Sequence, residues 1–409
     1  MDRKILEKYA ELIVKTGINL KKGQQVVVRA DLDQPEFVKT VVEIAYSCGA
    51  SKVEVEWNYQ PLTKIHINNR SEEVLKRVED WEESKLKHRA DVLPCMIYLL
   101  SEDPDGLVGV DREKYALQVS SRYKRLKPIQ DAMENKYQWC IAAVPGTQWA
   151  KKMFPEMSET EAIEKLWEAI LFTSRSSDGE PLENWKKHNE DLKKRCDWLN
   201  SLNIKTLHYK SENGTDFKVG MMKEAQWLGG GEETLAGNYF NANIPSEEVF
   251  ITPKRGEAEG VVYSSRPFCY RGETIENFYI EFKEGKAVKW GAEKNEKLLG
   301  TIINMDEGSH YLGECALVPY NSPIRESGLL FYNTLFDENA ACHLALGEGF
   351  SNCIKDYDKY TLEECRKMGV NESMIHEDFM IGTADLSITA ETENGEMIKI
   401  FENGNWAEN

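Results

Sequence analysis

An α/β domain built on a small parallel sheet, followed by an α+β domain of mostly antiparallel sheet, is the fold class that this 409-residue chain predicts. The first third alternates helical and strand periods, the composition changes after Ser174, and beyond it short aromatic and β-branched runs are separated by tight-turn signals. At the head of the chain Ile5, Tyr9, Leu12 and Ile13 recur at helical spacing, Gly17 ends that segment, and Lys22-Gly23 turns into the strand-like run Gln25 to Val28. Asp33 can cap the next helix and Pro35 suits its first turn. Phe37, Val38, Val41, Val42 and Ala45 line one face of it before Gly49 stops it, and a strand resumes from Lys52 to Trp57. Further strands at Cys95 to Leu100 and Tyr137 to Val144, with helical patterns at Ser71 to Leu86 and Lys114 to Leu126, complete a parallel sheet wrapped by helices.

The Ser174 to Pro181 stretch is a connection, and a polar helix runs from Leu182 to Leu202, so the domains are expected at 1–180 and 181–409. Asn213-Gly214, between Ile204 to Tyr209 and Phe217 to Val219, is a strong hairpin signal, and Glu284-Gly285 is a second tight turn.

Composition narrows the function classes. With 51 Lys+Arg against 69 Asp+Glu the net charge is −18, which repels nucleic acid and anionic lipid alike. The nine cysteines contain no CxxC pair and suit a reducing cytosol. No apolar run approaches the ~18 residues of a membrane span, and the charged N-terminus has no signal-peptide core, so a cytoplasmic protein is expected. Leu228-Gly-Gly-Gly231 lacks the Lys-Ser/Thr pair of a phosphate loop and reads as a loop, while Gly347-Glu-Gly349 lacks the third glycine of a dinucleotide fingerprint. His66, His88, His188 and His208 have no second ligand at useful spacing.

The chemistry concentrates between residues 241 and 378. Glu247 and Glu248 stand between a proline turn and an apolar pair, and Glu314 follows a glycine inside a run that otherwise reads as buried strand, where a charge left unpaired costs several kcal/mol. Glu338 and His343 lie in a segment of small and apolar residues, and His376 and Asp378 are two apart, on one side of an extended backbone. Singly, each is more often a satisfied core residue than a functional one. Together Glu248, Glu314, Glu338, His343, His376 and Asp378 supply four carboxylates and two imidazoles, enough to balance two divalent cations ~3.5–4 Å apart with one carboxylate bridging. Mixed oxygen and nitrogen donors suit zinc or cobalt, with manganese and magnesium as further candidates.

These segments resemble the thermophilic metalloaminopeptidase family of the aminopeptidase T and aminopeptidase S type. The similarity continues through Asn321-Ser-Pro-Ile, the run Gly328 to Asn339 and the Phe401 to Trp406 tail, and extends more diffusely to the opening helix and the Lys21 to Val28 run. The resemblance implies a metal-dependent aminopeptidase with two metal ions, peptide substrates and a homodimeric assembly. Glu248, Glu314, His343, His376 and Asp378 match the family's ligand positions, and Glu338 matches a further acidic position. Glu314, central in the set, is the expected bridging and catalytic residue, with either it or Glu247 moving the proton to the leaving amine. Where the family commonly has a tyrosine seven residues after the His343 position, this chain has Phe350, which cannot donate a hydrogen bond; Tyr332, Tyr357 and Tyr360 are the nearby donors in sequence. Rival readings are a dipeptidase or deacylase using the same ligands, and a metal-stabilised homologue without catalysis.

Overall fold

The computed structural model describes residues 1–407, so the last two residues of the expected 181–409 domain lie outside the described residues. The chain forms two compact units, one of Met1–Lys187 with Gly231–Pro245 and the other of His188–Gly230 with Ser246 onward. The first break falls inside a helix, Pro181–Ser201, and the chain then returns to the first unit for one short excursion. That excursion is held by backbone bonds: Ile141 N donates to Ala242 O at 2.7 Å and Ile244 N donates to Ile141 O at 2.9 Å.

In the first unit β1 (Gln25–Asp31), β2 (Lys52–Asn58), β3 (Cys95–Leu100) and β4 (Trp139–Ala143) form a parallel sheet in the order β2-β1-β3-β4. Each strand pair is joined through helices, as parallel pairing requires. On one side α1 (Arg3–Leu12) and α2 (Pro35–Ser47) bury Tyr9 and Phe37, whose rings stack at 5.6 Å; Trp167 meets Tyr9 edge-on at 6.3 Å, and the Tyr9 hydroxyl donates to Ala143 O at 3.1 Å. Gly17 does more than end the first helical segment, since a Cβ there would stand 2.6 Å from Cys140 Sγ. The single helix expected over 71–86 is two, Glu72–Lys76 and Asp80–Val92, because Glu79 adopts an extended conformation and caps the second with Glu82 in a capping box. The pattern at 114–126 belongs to a longer helix, Arg112–Asp131.

In the second unit β5 (Ile204–Lys210) and β6 (Asp216–Met221) form the hairpin that Asn213-Gly214 signals, with Gly214 at φ +106°. They lie inside a nine-stranded sheet that also carries Pro253–Tyr263, Glu273–Lys283, Lys286–Lys294, Ser387–Thr392 and Met397–Glu402. A second sheet of five antiparallel strands runs in the order His376–Met380, His343–Gly347, Leu312–Leu317, Val249–Ile251, Leu228–Gly229. The glycine run read as a loop therefore supplies an edge strand at Leu228–Gly229; the missing side chain permits it, since a Cβ on Gly229 would lie 2.7 Å from Glu248 O. One core joins the two sheets, with Tyr209, Phe217 and Phe278 from the larger and Leu344, Leu346 and Phe379 from the smaller. No helix among the described residues is long and apolar enough to cross a membrane.

Phe217 is buried and packs against the rings of Tyr209 and Phe282 at 5.9 and 5.5 Å. Phe217→Ala is expected to destabilise the second unit by ~3–5 kcal/mol, read as a lowered denaturant midpoint, because the vacated ring volume cannot close. Val288→Ala, at a half-exposed position, should stay within ~0.5 kcal/mol of the parent.

Candidate metal centre

One face of the five-stranded sheet is packed into the core and the other gathers polar groups. Along Leu312–Leu317, Cys315 and Leu317 belong to the core cluster while Glu314 and Ala316 alternate to the opposite face. Register carries that face across the strands: Ala316 stands opposite His343, Glu314 opposite Ala345, Ala345 opposite Asp378, and Gly347 opposite His376. Glu248, immediately before Val249–Ile251, reaches the same group. Donors thus alternate with alanine and glycine, and the small residues leave room over the centre of the face.

A β-bulge between Leu312 and Glu314 aims the Glu314 carboxylate. It depends on Gly313, because a Cβ there would stand 2.1 Å from Glu348 O, and that carbonyl is 2.7 Å from His376 Nδ1. His343 Nδ1 is held in the same way, 3.1 Å from Ala341 O. In each ring Nδ1–H donates to a carbonyl, which leaves Nε2 as the inward-facing nitrogen.

The inward atoms fall into two groups, Glu248 with Glu314 and His343, and Glu314 with His376 and Asp378, in each of which the donor atoms lie within 4.8 Å of one another. Glu314 belongs to both. His343 Nε2 is 3.0 Å from Glu248 Oε2; His376 Nε2 is 3.0 Å from Glu314 Oε2 and 3.4 Å from Asp378 Oδ1. Such separations are those of neighbouring donors around a divalent cation with bonds of about 2.0–2.2 Å. The 3.4 Å approach of His376 Nε2 to the buried Asp378 Oδ1 falls outside hydrogen-bond geometry, which leaves a lone pair suited to a cation. The donor set fits hard or borderline divalent ions.

Electrostatics point the same way. Burial, reinforced by Glu248 and Asp378 and opposed by His376, raises the Glu314 carboxyl to about 7. Burial lowers the His343 imidazole, but the hydrogen bond and charge of Glu248, with Asp378 and Glu314, carry it up to about 9. Against the same burial, Asp378 and Glu314 hold His376 well above the ordinary histidine range, and His376 holds Asp378 below the ordinary carboxylate range. Without a cation, the imidazoles take up protons to offset the carboxylates.

Glu338, on the turn Glu338–Ala340, joins neither group; burial and then the charges of Asp378, Glu248 and Glu314 hold it well above the carboxylate range. Glu247 is also buried, but its carboxylate lies 4.0 Å from His188 Nε2, while its backbone N–H donates to Asn339 Oδ1 at 2.7 Å. Asn339, fully buried, also donates to Leu335 O at 3.0 Å and to Glu338 Oε1 at 3.3 Å, and so ties the two acidic segments together. The Phe350 ring packs on His376 with centroids 4.9 Å apart and on Phe250 at 5.6 Å. Of the tyrosines read as alternative donors, Tyr360 is exposed and Tyr357 packs against the cluster of Met222, Ile354 and Cys365.

The family model described as thermophilic metalloprotease (M29) matches residues 2–406. The chain belongs to this metalloprotease family. Among its metalloprotease relatives, Aminopeptidase AmpS of Bacillus subtilis is 40% identical over 403 residues, covering 98% of each chain, and Aminopeptidase 2 of Geobacillus stearothermophilus is 38% identical, covering 99% of this chain and 98% of the other. The solved structure of AmpT from Thermus thermophilus superposes with a TM-score of 0.89 at 35% identity, covering 99% of this chain and all of that one. A metalloprotease needs a divalent ion.

Two outcomes are expected. Gly313→Ala should displace Glu348 O, free the His376 ring and lower metal affinity by about 10–100-fold, measured by competition with a chromogenic chelator. Because His343 titrates at about 9 without metal and must be neutral to ligate, metal uptake should release protons, and affinity should rise between about pH 6 and pH 9. Calorimetry in two buffers of different ionisation enthalpy measures that release; heats that do not depend on buffer would refute it.

Proposed function

We propose that the chain is a metal-dependent aminopeptidase that holds two divalent ions, one by Glu248, Glu314 and His343 and the other by Glu314, His376 and Asp378. The observation that carries this reading is the shared carboxylate: two donor groups on one sheet face meet at Glu314. Divalent ions bound there supply Lewis-acid polarisation of a carbonyl and a water of lowered pKa. Zinc or cobalt fits the donors best, with manganese and magnesium next.

The chain's own part is positional and electrostatic. The carbonyls of Ala341 and Glu348 fix which imidazole nitrogen faces inward, so the histidines present lone pairs without reorganisation. Glu314, shared by both donor groups, or its buried neighbour in the acidic set, Glu247, is the acid that takes a proton from the attacking water and passes it to the leaving amine. Glu338, buried outside both donor groups, is the acid assigned to the free α-ammonium that distinguishes an exopeptidase substrate. Phe350 packs on His376 and cannot supply an oxyanion donor.

By the same reading the protein is cytoplasmic, on its cysteine pattern, and a homodimer acting on peptides, on its family resemblance. Light scattering that returns a fully active monomer removes the last part.

The deciding experiment is chelation followed by refilling with zinc, cobalt, manganese or magnesium, assayed on aminoacyl arylamides beside acetylated and free dipeptides. Release of arylamine by the refilled protein alone supports an aminopeptidase. Hydrolysis confined to free dipeptides indicates a dipeptidase, cleavage of acetylated substrates a deacylase, and full metal content without turnover a non-catalytic homologue. Glu314→Gln is expected to lower kcat by ~10²–10⁴-fold while the melting temperature stays close to the parent's. His343→Ala and His376→Ala should each lower metal content measured by emission spectroscopy; full occupancy in either would remove that residue from the ligand set.

A further inference from the structure

The parallel sheet of the first unit changes direction at β1. Its neighbour on one side is β2 and on the other β3, reached only after β2, and open parallel sheets bind ligands outside the carboxyl ends of the strands at such a point. A cavity of about 390 Å³ lies at that end, and the side chains that matter in its lining are Arg29, Asp31, Glu56, Asn58, Tyr98 and Glu102. In register Arg29 stands opposite Glu56 and Tyr98, and Asp31 opposite Asn58, so these groups leave the sheet on one face.

The cavity has walls of opposite charge. On the Arg29 side, Arg29 Nε lies 2.8 Å from Glu56 Oε2, and Lys85 and Arg89 pair with the same carboxylate, so three cations share one anion. The Arg29 guanidinium also lies over the Tyr98 ring, 5.8 Å from its centroid. On the other side Asp31, only 6% exposed, accepts from Asn58 Nδ2 at 2.6 Å, Glu102 accepts from Ser101 N at 3.2 Å, and Asp33 accepts from Ser101 Oγ at 2.9 Å. No lysine, arginine or histidine among the described residues forms an ion pair with any of the three. Burial, with the charge of Asp33, raises Asp31, and burial, with the charges of Asp31 and Asp33, raises Glu102. Arg29 and Asp31 are two steps apart along the strand, about 6.6 Å of rise, which is the scale of one small zwitterion with a contact at each end. A lone divalent ion suits the cavity less well, because among the described residues the convergent groups of three donors lie elsewhere, on the five-stranded sheet.

We propose that this crevice binds a free α-amino acid, with its carboxylate toward Arg29 and its ammonium toward Asp31 and Glu102. The crevice shares no residue with the metal centre, and its existence does not depend on the activity proposed above. If that activity holds, the ligand belongs to the class of molecule the enzyme releases.

The test is calorimetric titration of the full-length, metal-loaded protein with L-leucine, leucinol and N-acetyl-leucine, on the parent and on Asp31→Asn and Arg29→Gln; leucinol lacks the carboxylate and has no amide to hydrolyse. Each variant is expected to weaken leucine binding at one site by about tenfold or more, the loss of one charge-assisted contact, with any turnover of a leucyl arylamide unchanged. Leucinol and N-acetyl-leucine should each bind that site at least about tenfold more weakly than leucine, for the same loss of one charged end. Leucine binding that is the same in the parent and both variants overturns the proposal, as does leucinol binding equal to that of leucine, which would mean a simple cation site. If Asp31→Asn does not fold, Glu102→Gln is judged by the same criterion. Because the readout is binding, a protein without peptidase activity that still loses leucine affinity on these substitutions supports the crevice while refuting the aminopeptidase.

Discussion

Mutual repulsion among Glu248, Glu314, Glu338 and Asp378, all buried around one sheet face, is the constraint on which the second unit depends. Among the described residues, the cationic groups that pair with them are two imidazoles; no arginine or lysine does. A buried carboxylate without compensation costs several kcal/mol, and four in one place cannot all remain ionised on two histidines. The opposed shifts follow from this, with Glu314 and Glu338 driven up while His376 and His343 hold protons that free histidine would lose. Divalent cations relieve the conflict at once, and the arrangement is best understood as a fold that is complete only with them.

Bringing like charges together requires a platform that does not yield. The five-stranded sheet provides it by putting one face into the same core as the nine-stranded sheet, where Phe278 meets Phe379 at 5.8 Å directly behind Asp378. Alanine and glycine between the donors keep the polar face shallow, and Gly313 and Gly347 permit backbone approaches that no side chain would allow. Packing on one face therefore sets the geometry on the other.

Much of this was legible in the chain itself. The βαβ opening, the Asn213-Gly214 hairpin and the five residues that gather on the sheet face stand out because each violates or satisfies a local rule: a carboxylate in an apolar run, a histidine and an aspartate two apart, a turn pair between strand patterns. What escaped has a common cause. The carbonyls of Ala341 and Glu348 that orient the rings are backbone atoms, and every residue has one. Gly347 and Gly349, which flank Glu348, have their use in close packing against Ile375 O and Thr252, which only the folded chain displays. The return of residues 231–245 to the first unit rests on a few backbone bonds to Ile141 that leave no periodicity. The choice between Glu247 and Glu248 could not be made from alternation, because Glu248 precedes its strand and both are buried.

His376 and Asp378 sit on the outermost strand of their sheet, whereas Glu314 and His343 sit on strands paired along both sides. Backbone at a sheet margin opens more often than backbone within, even where a contact such as Ser265 N to Met380 O at 2.8 Å clasps its end. The two halves of the centre therefore differ in how long they stay assembled. The inner donors Glu248, Glu314 and His343 keep their arrangement while the outer strand breathes, so a cation that leans on His376 and Asp378 exchanges with solvent faster than one that leans on the inner donors alone.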